Sequence, residues 1–309
     1  MIRYLCKRLL AIIPVGLGVT FIIFSLLYIT PGDPARLALG EDATEEALME
    51  WRHEYGLDRP FITRYGLFVY NAVVHQDMGR SYMTRRPVTG ELNNAFPITI
   101  DLSIGAIIIA TALGLGFGII CAIKQYSLFD NVCMIFAMLG ISVPLFYLGI
   151  LLILWFSVRL RWLPSSGFTT FSEKILPWIT LAANSMAIIT RMTRSSMLEV
   201  IHSDYVRTAR AKGQKESVVI LRHALKNALI PIITIVGIQF GFLLGGSILT
   251  ESVFSIPGVG RLAVDAIKAR DYPIVQGAVV YIAISYVFIN LLVDMLYAWV
   301  DPRLRTRYR

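Results

Sequence analysis

Charge-free apolar runs alternate with polar stretches along this chain. Six runs stand out: Leu9–Thr30, Leu102–Ile123, Val132–Val158, Ile175–Thr190, Ala228–Thr250 and Tyr272–Val293. An α-helix rises about 1.5 Å per residue, so about 20 apolar residues cross a hydrocarbon core of about 30 Å. Five runs reach that length. The fourth, opened by Pro177, is shorter and is expected to continue as one helix into Arg191–His202. Pro144, inside the third run, predicts a kink there. The pattern therefore predicts an all-α membrane protein with six transmembrane helices.

The spacing of the runs also sets the expected domain organisation. Residues 1–30 form an N-terminal stub with the first helix, and 31–97 an extracytoplasmic helical segment. Residues 98–309 form a core with five further helices and a polar loop, 191–227. Within 31–97, Pro31-Gly32-Asp33-Pro34 stops the first helix and opens a turn. Thr44 is the expected N-cap of a helix running through Tyr55, with Glu45 and Glu46 in its first turn. Asp58-Arg59-Pro60 starts another, reaching about Val74 and carrying Phe61, Tyr65, Phe68 and Tyr70. Such a segment can lie along the outer membrane face, receive a partner, or simply cap the membrane domain.

Composition agrees with the pattern. Hydrophobic residues make up 56% of the chain and charged residues 16%, against about 25% charged in soluble domains. Arg3, Lys7 and Arg8 precede the first apolar run. That run exceeds the roughly 7–15 residues of a secretory h-region and lacks a small-x-small cleavage site, so it is read as a retained helix. The net charge of +8 matters through its distribution. With the N-terminus inside, the inner segments carry 3, 1, 8 and 4 Lys/Arg, while the short outer loops 159–174 and 251–273 carry 3 each. That bias places both termini in the cytoplasm, the parity six helices require.

Inside the membrane the informative residues are few. Gly237, Gly241 and Gly245 recur every fourth position on one helix face, and Gly114 and Gly118 repeat the spacing. Such rows let helices approach closely. The longer row is also a candidate lining for a path or a subunit seam. Asn184, Gln239, Asn290 and Asp294 are polar at membrane depth and should face protein or water. Asn184, Gln239, Gly241 and Gly245 are the candidate translocation-path residues, although a hydrogen bond between helices is the plainer role for the two amides.

Several chemistries are excluded. Cys6, Cys121 and Cys133 lack metal-site or disulfide-framework spacing and read as small buried hydrophobes. The four histidines form no HExxH-type cluster and none lies in an apolar run, which argues against an intramembrane serine protease. No Walker A pattern occurs, and a row of buried carboxylates for a proton pump is missing. No catalytic residue, metal site or nucleic-acid partner is expected. The chain supplies no energy source of its own, so the source must be external.

The loop 191–227 is where an external source would act. Ser203 or Asp204 is the expected N-cap, and Gly213 the terminator, of a short helix Tyr205–Lys212. Tyr205, Thr208, Ala209 and Lys212 share one face at helical spacing, and small Thr208 and Ala209 would let a partner approach the backbone. Ser217 is the expected cap of a second helix with Val218, Leu221, Leu225 and Ala228 on its apolar side. A helix lying on lipid would want large apolar anchors, and the first has only Tyr205, so docking into a protein cleft fits it better.

At this loop the chain resembles the permeases of binding-protein-dependent ABC importers. Placing their loop glycine on Gly213 sets Arg207-Thr208-Ala209 where most carry Glu-Ala-Ala. That departure is shared by the dipeptide, oligopeptide and nickel branch, whose loops read much like Arg207 to Gly213. Further blocks agree, among them Tyr55-Gly56-Leu57-Asp58-Arg59-Pro60, Ser142-Val143-Pro144-Leu145-Phe146, Arg161-Trp162-Leu163-Pro164, Glu251 to Arg261 and Asp271-Tyr272-Pro273. The chain is most similar to the first permease of the pair. The resemblance implies a type I importer permease fold and a second homologous permease subunit. It also implies two cytoplasmic ATPases that bind ATP and Mg, and an extracytoplasmic substrate-binding protein facing 31–97. The chain itself would hold no cofactor, and its one other partner would be membrane lipid. Asp204, Tyr205, Arg207, Thr208, Ala209, Lys212 and Gly213 become the expected ATPase-coupling residues. Di- or oligopeptides are the expected cargo, with glutathione or a nickel chelate as the alternative. An ATPase-independent membrane enzyme or scaffold is the competing reading.

Overall fold

A computed structural model describes residues 2–40 and 42–300; for 2–12, 246 and 297–300 it describes the backbone only. The side chains of Arg3, Cys6, Lys7 and Arg8, and the basic tail from Asp301 to Arg309, therefore lie outside the described residues. Among the described residues the chain is helical and contains no strand beyond an isolated bridge between Arg80 and Pro87. Among the described residues four helices are long and apolar enough to cross a membrane: Val88–Ile123, Phe171–Ile201, Glu216–Gly245 and Tyr272–Leu296. A broken pair, Leu128–Ser142 with Leu145–Arg159, supplies a fifth crossing if counted as one.

The chain divides into two compact units. One comprises residues 5–99 and 257–285. Here α1 (Ile2–Ile29) is followed by α2 (Pro34–Leu39), α3 (Glu45–Glu54) and α4 (Phe61–Tyr70), which runs on through a π-helical turn, Asn71–His75. The Asp33 carboxylate accepts from the Ala35 amide at the start of α2, and the Thr44 hydroxyl from the Ala47 amide at the start of α3. The expected caps and helix limits in this segment are thus present. Gly32 adopts φ +121°, and the Arg270 guanidinium lies where its Cβ would be, so only glycine fits there. Helix α4 packs antiparallel against α1: Phe61 meets Tyr28 edge-on at 5.1 Å, and the Tyr65 hydroxyl donates to the Leu17 carbonyl at 2.9 Å. Asp271, buried, accepts from the Ser81 hydroxyl and the Tyr82 amide, pinning the loop before α5.

Helix α5 (Val88–Ile123) begins well before the expected Leu102, and Pro97 lies inside it. The second unit, residues 100–256 and from 286 on, centres on α8 (Phe171–Ile201). This helix continues the fourth apolar run through Arg191 without a break, as expected. Two small-residue contacts bring α5 onto it: a Cβ at Gly114 would lie 2.8 Å from Ile189, and one at Gly118 would lie 2.8 Å from the Thr190 carbonyl. Pro144 does more than kink the third run. It separates α6 (Leu128–Ser142) from α7 (Leu145–Leu152) with a bend of 105°, because its ring cannot continue the ladder of the preceding turn. A π-helical stretch, Ile153–Arg159, ends α7.

Candidate functional site

The loop 191–227 forms on α8, α9 (Asp204–Ala211) and the helix that follows. Ser203 holds the N-cap position with extended backbone, but its hydroxyl donates to the Val200 carbonyl at 2.6 Å instead of accepting from α9. Gly213 follows the C-cap with φ +74° and its amide donates to the Arg210 carbonyl at 2.9 Å. Nothing lies within 4 Å of the point where its Cβ would sit, so backbone conformation and not crowding requires the glycine.

One face of α9 is sealed. Val206 and Ala209 pack into a buried cluster with Met197 and Ile201 of α8 and with Val219, Ile220 and Ala224 beyond. Ala209, at 6% exposure, is therefore not part of the outward face, which corrects the expected grouping. The helical period that aligns it with Tyr205 also aligns it with Val206, and the two apolar residues win the core. The outward face carries Asp204, Tyr205 (45% exposed), Arg207, Thr208 and Lys212. Arg210 is held by Glu216 at 2.7 Å across the turn, whereas Arg207 and Lys212 have no carboxylate partner among the described residues.

The second helix differs from expectation. It begins at Glu216, so Ser217 lies inside it and does not cap it. Helix α10 (Glu216–Val218) passes through a π-helical stretch, Val219–Ala224, directly into α11 (Leu225–Gly246). The extra residue per turn shifts the phase of the apolar face. Val219, Ile220, Ala224 and Ala228 are buried, while Leu221, expected inside, is 58% exposed.

Two ion pairs that sequence reading passed over brace the unit. Arg194 of α8 grips Asp130 of α6 with both arms, at 2.6 and 2.7 Å, and the Asp130 side chain is 1% exposed. Lys174 meets Asp101 at 2.5 Å. All four residues flank charge-free runs, where local pattern gives no hint of a distant partner.

The candidate path residues separate. The Gln239 side-chain amide donates to the Ser185 hydroxyl at 3.1 Å, both buried, which joins α11 to α8. Gly241 lies under Tyr286 of α14 (Tyr272–Val300), and Gly237 under Val293. Gly245 has no atom within 4 Å of its would-be Cβ, and Asn184 is half-buried. Cys121 and Cys133 are free thiols, the former buried. Among the described residues no group of three His, Cys, Asp or Glu is placed to hold a metal.

Residues 114–306 match the model of the binding-protein-dependent transport system inner membrane component, and residues 1–103 that of its N-terminal part. The chain belongs to this family. It is 45% identical to the glutathione transport system permease protein GsiC of Pectobacterium atrosepticum over 99% of both chains. It is 42% identical to the dipeptide transport system permease protein DppB of Alkalihalophilus pseudofirmus, over 99% of this chain and all of that one. Among solved structures it shares the fold of the MetNI methionine ABC transporter in an inward-facing form. The TM-score is 0.58 at 18% identity, over 68% of this chain and 96% of that one. The chain is thus an ABC importer permease, a multi-pass component of the bacterial inner membrane and a transport protein, not an enzyme. Members of this family depend on a substrate-binding protein and work with an ATPase.

Proposed function

We propose that this permease pairs with a second homologous permease and two cytoplasmic ATPases, and moves short peptides by alternating access. ATP and Mg bind the ATPases, and an extracytoplasmic binding protein delivers cargo to the side bearing 31–97. In this reading six spans leave both termini in the cytoplasm, α6 and α7 sharing one crossing. The outward face of α9 sits in an ATPase cleft, and ATPase closure is passed to α8 through Val206 and Ala209. The observation carrying the reading is that exposed helix, with Arg207 and Lys212 unpaired above a buried base. Of the path residues, Asn184 and Gly245 are the better candidates, since Gln239 and Gly241 are engaged in packing.

The test is purification of the tagged chain from its native membranes in mild detergent. ATPase subunits should co-purify; recovery as a lone chain would overturn the reading. Gly213→Leu should leave the protein in the membrane while abolishing uptake, and normal uptake with that variant would remove the docking role. Peptide is favoured as cargo because the relatives are a dipeptide and a glutathione permease. Calorimetry of the cognate binding protein with dipeptides, glutathione and a nickel chelate separates the three.

A further inference from the structure

Two neighbouring cavities open on α1 and α4, one charged and one apolar. The first, of about 270 Å³, is polar. Arg59, Arg64 and Arg80 line it together with Glu54, Tyr82 and Gln276. None of the three arginines is in an ion pair among the described residues, so its lining charge, offset only by Glu54, is net positive. Arg64 is half-buried, with its guanidinium 5.7 Å from the Phe24 ring and 5.9 Å from that of Tyr28. A planar cation fixed between two aromatic rings is presented at low entropic cost to an anion that takes its fork of donors.

The second cavity, of about 330 Å³, is apolar and lined by Ile13, Leu17, Val69, Ala72, Val280 and neighbouring residues. The two share Phe68 and Met78 in their walls, so the charged cavity and the apolar one lie side by side. In the orientation proposed above, their order along α1 follows the membrane. Tyr28 is near the outer end of the helix, and Thr20, where the apolar groove begins, is about 12 Å deeper at about 1.5 Å per residue.

We infer that unit 5–99 with 257–285 binds one anionic phospholipid of the outer leaflet, its phosphate on Arg64 with Arg59 and Arg80, and one acyl chain in the groove. A free carboxylate or phosphate would use the arginines and leave the groove without purpose. A zwitterionic lipid would bring its ammonium into a site already carrying surplus positive charge.

Native mass spectrometry of the purified full chain, titrated with phosphatidylglycerol, should show one saturable lipid. Arg64→Gln should weaken it by about tenfold or more, the loss expected for a charge-assisted contact. Arg36→Gln, which removes a charge elsewhere on the same segment, should leave binding unchanged. Ala72→Trp, which fills the groove and spares the arginines, should also remove the lipid, and millimolar inorganic phosphate should not displace it. If Arg64→Gln does not fold, Arg80→Gln carries the same test. Undiminished binding by the arginine and groove variants would overturn the inference. So would equal binding of phosphatidylethanolamine, or displacement by phosphate with Ala72→Trp still binding, which would leave only a free-anion site.

Discussion

At the scale of single residues, the ion pairs give the sharpest expectations. Arg194 and Asp130 are largely out of water, so removing one leaves the other uncompensated at a cost of about 3–5 kcal/mol. Arg194→Met should therefore sharply lower thermal stability in detergent, and Asp130→Asn in the same chain should restore much of it, a coupling that a double-mutant cycle measures. Asp33 behaves differently, being partly exposed. Burial opposes its ionisation, but hydrogen bonds from Arg52 at 2.5 Å and from the Ala35 amide outweigh that, and its pKa falls below the ordinary value. A depressed carboxylate pKa contributes stability above the unfolded value, about 3.9, and loses it as pH falls through the folded one. Protection of α2 and α3 in hydrogen exchange should thus hold from neutral pH to about pH 4 and drop below it. Asp33→Asn should lose about 1 kcal/mol at neutral pH and flatten that acid response, screening keeping the figure small.

At the scale of elements, helix contacts decide what the glycines do. Gly118 lets α5 approach the α8 backbone, and a side chain there meets the Thr190 carbonyl, which cannot swing away. Gly116 has nothing within 4 Å. Gly118→Val should cost about 1–3 kcal/mol through overpacking, and Gly116→Val little; folded yield by fluorescence-detected size exclusion compares them. The expected close packing at Gly114 and Gly118 was legible because its spacing is regular. The π-helical stretch Val219–Ala224 was not, since Leu221 and Leu225 fit an unbroken period equally well and only packing against Met197 and Ile201 selects the shifted register.

At the scale of the whole molecule, the proposed topology puts α3 and α9 on opposite sides of the membrane. Glu50→Cys and Lys212→Cys, in a chain with its three native cysteines replaced, should react oppositely with an impermeant maleimide applied to intact cells. Glu50→Cys should label from outside, and Lys212→Cys only after the membrane is opened. Labelling of both from outside would overturn the orientation.

The sequence by itself determined what is local or periodic: the apolar runs, the Thr44 cap, the helix-ending Gly213 and the continuation of the fourth run through Arg191. These rest on propensities and contacts a few residues apart, which the chain carries in any context. The family blocks were legible for the same reason, being contiguous. Tertiary structure alone decided that Arg194 reaches Asp130, 64 positions away, that Ala209 turns inward, and that α4 lies along α1. Those outcomes depend on which surfaces meet. A charge flanking an apolar run has many candidate partners in sequence, and only the packed helices bring one within reach.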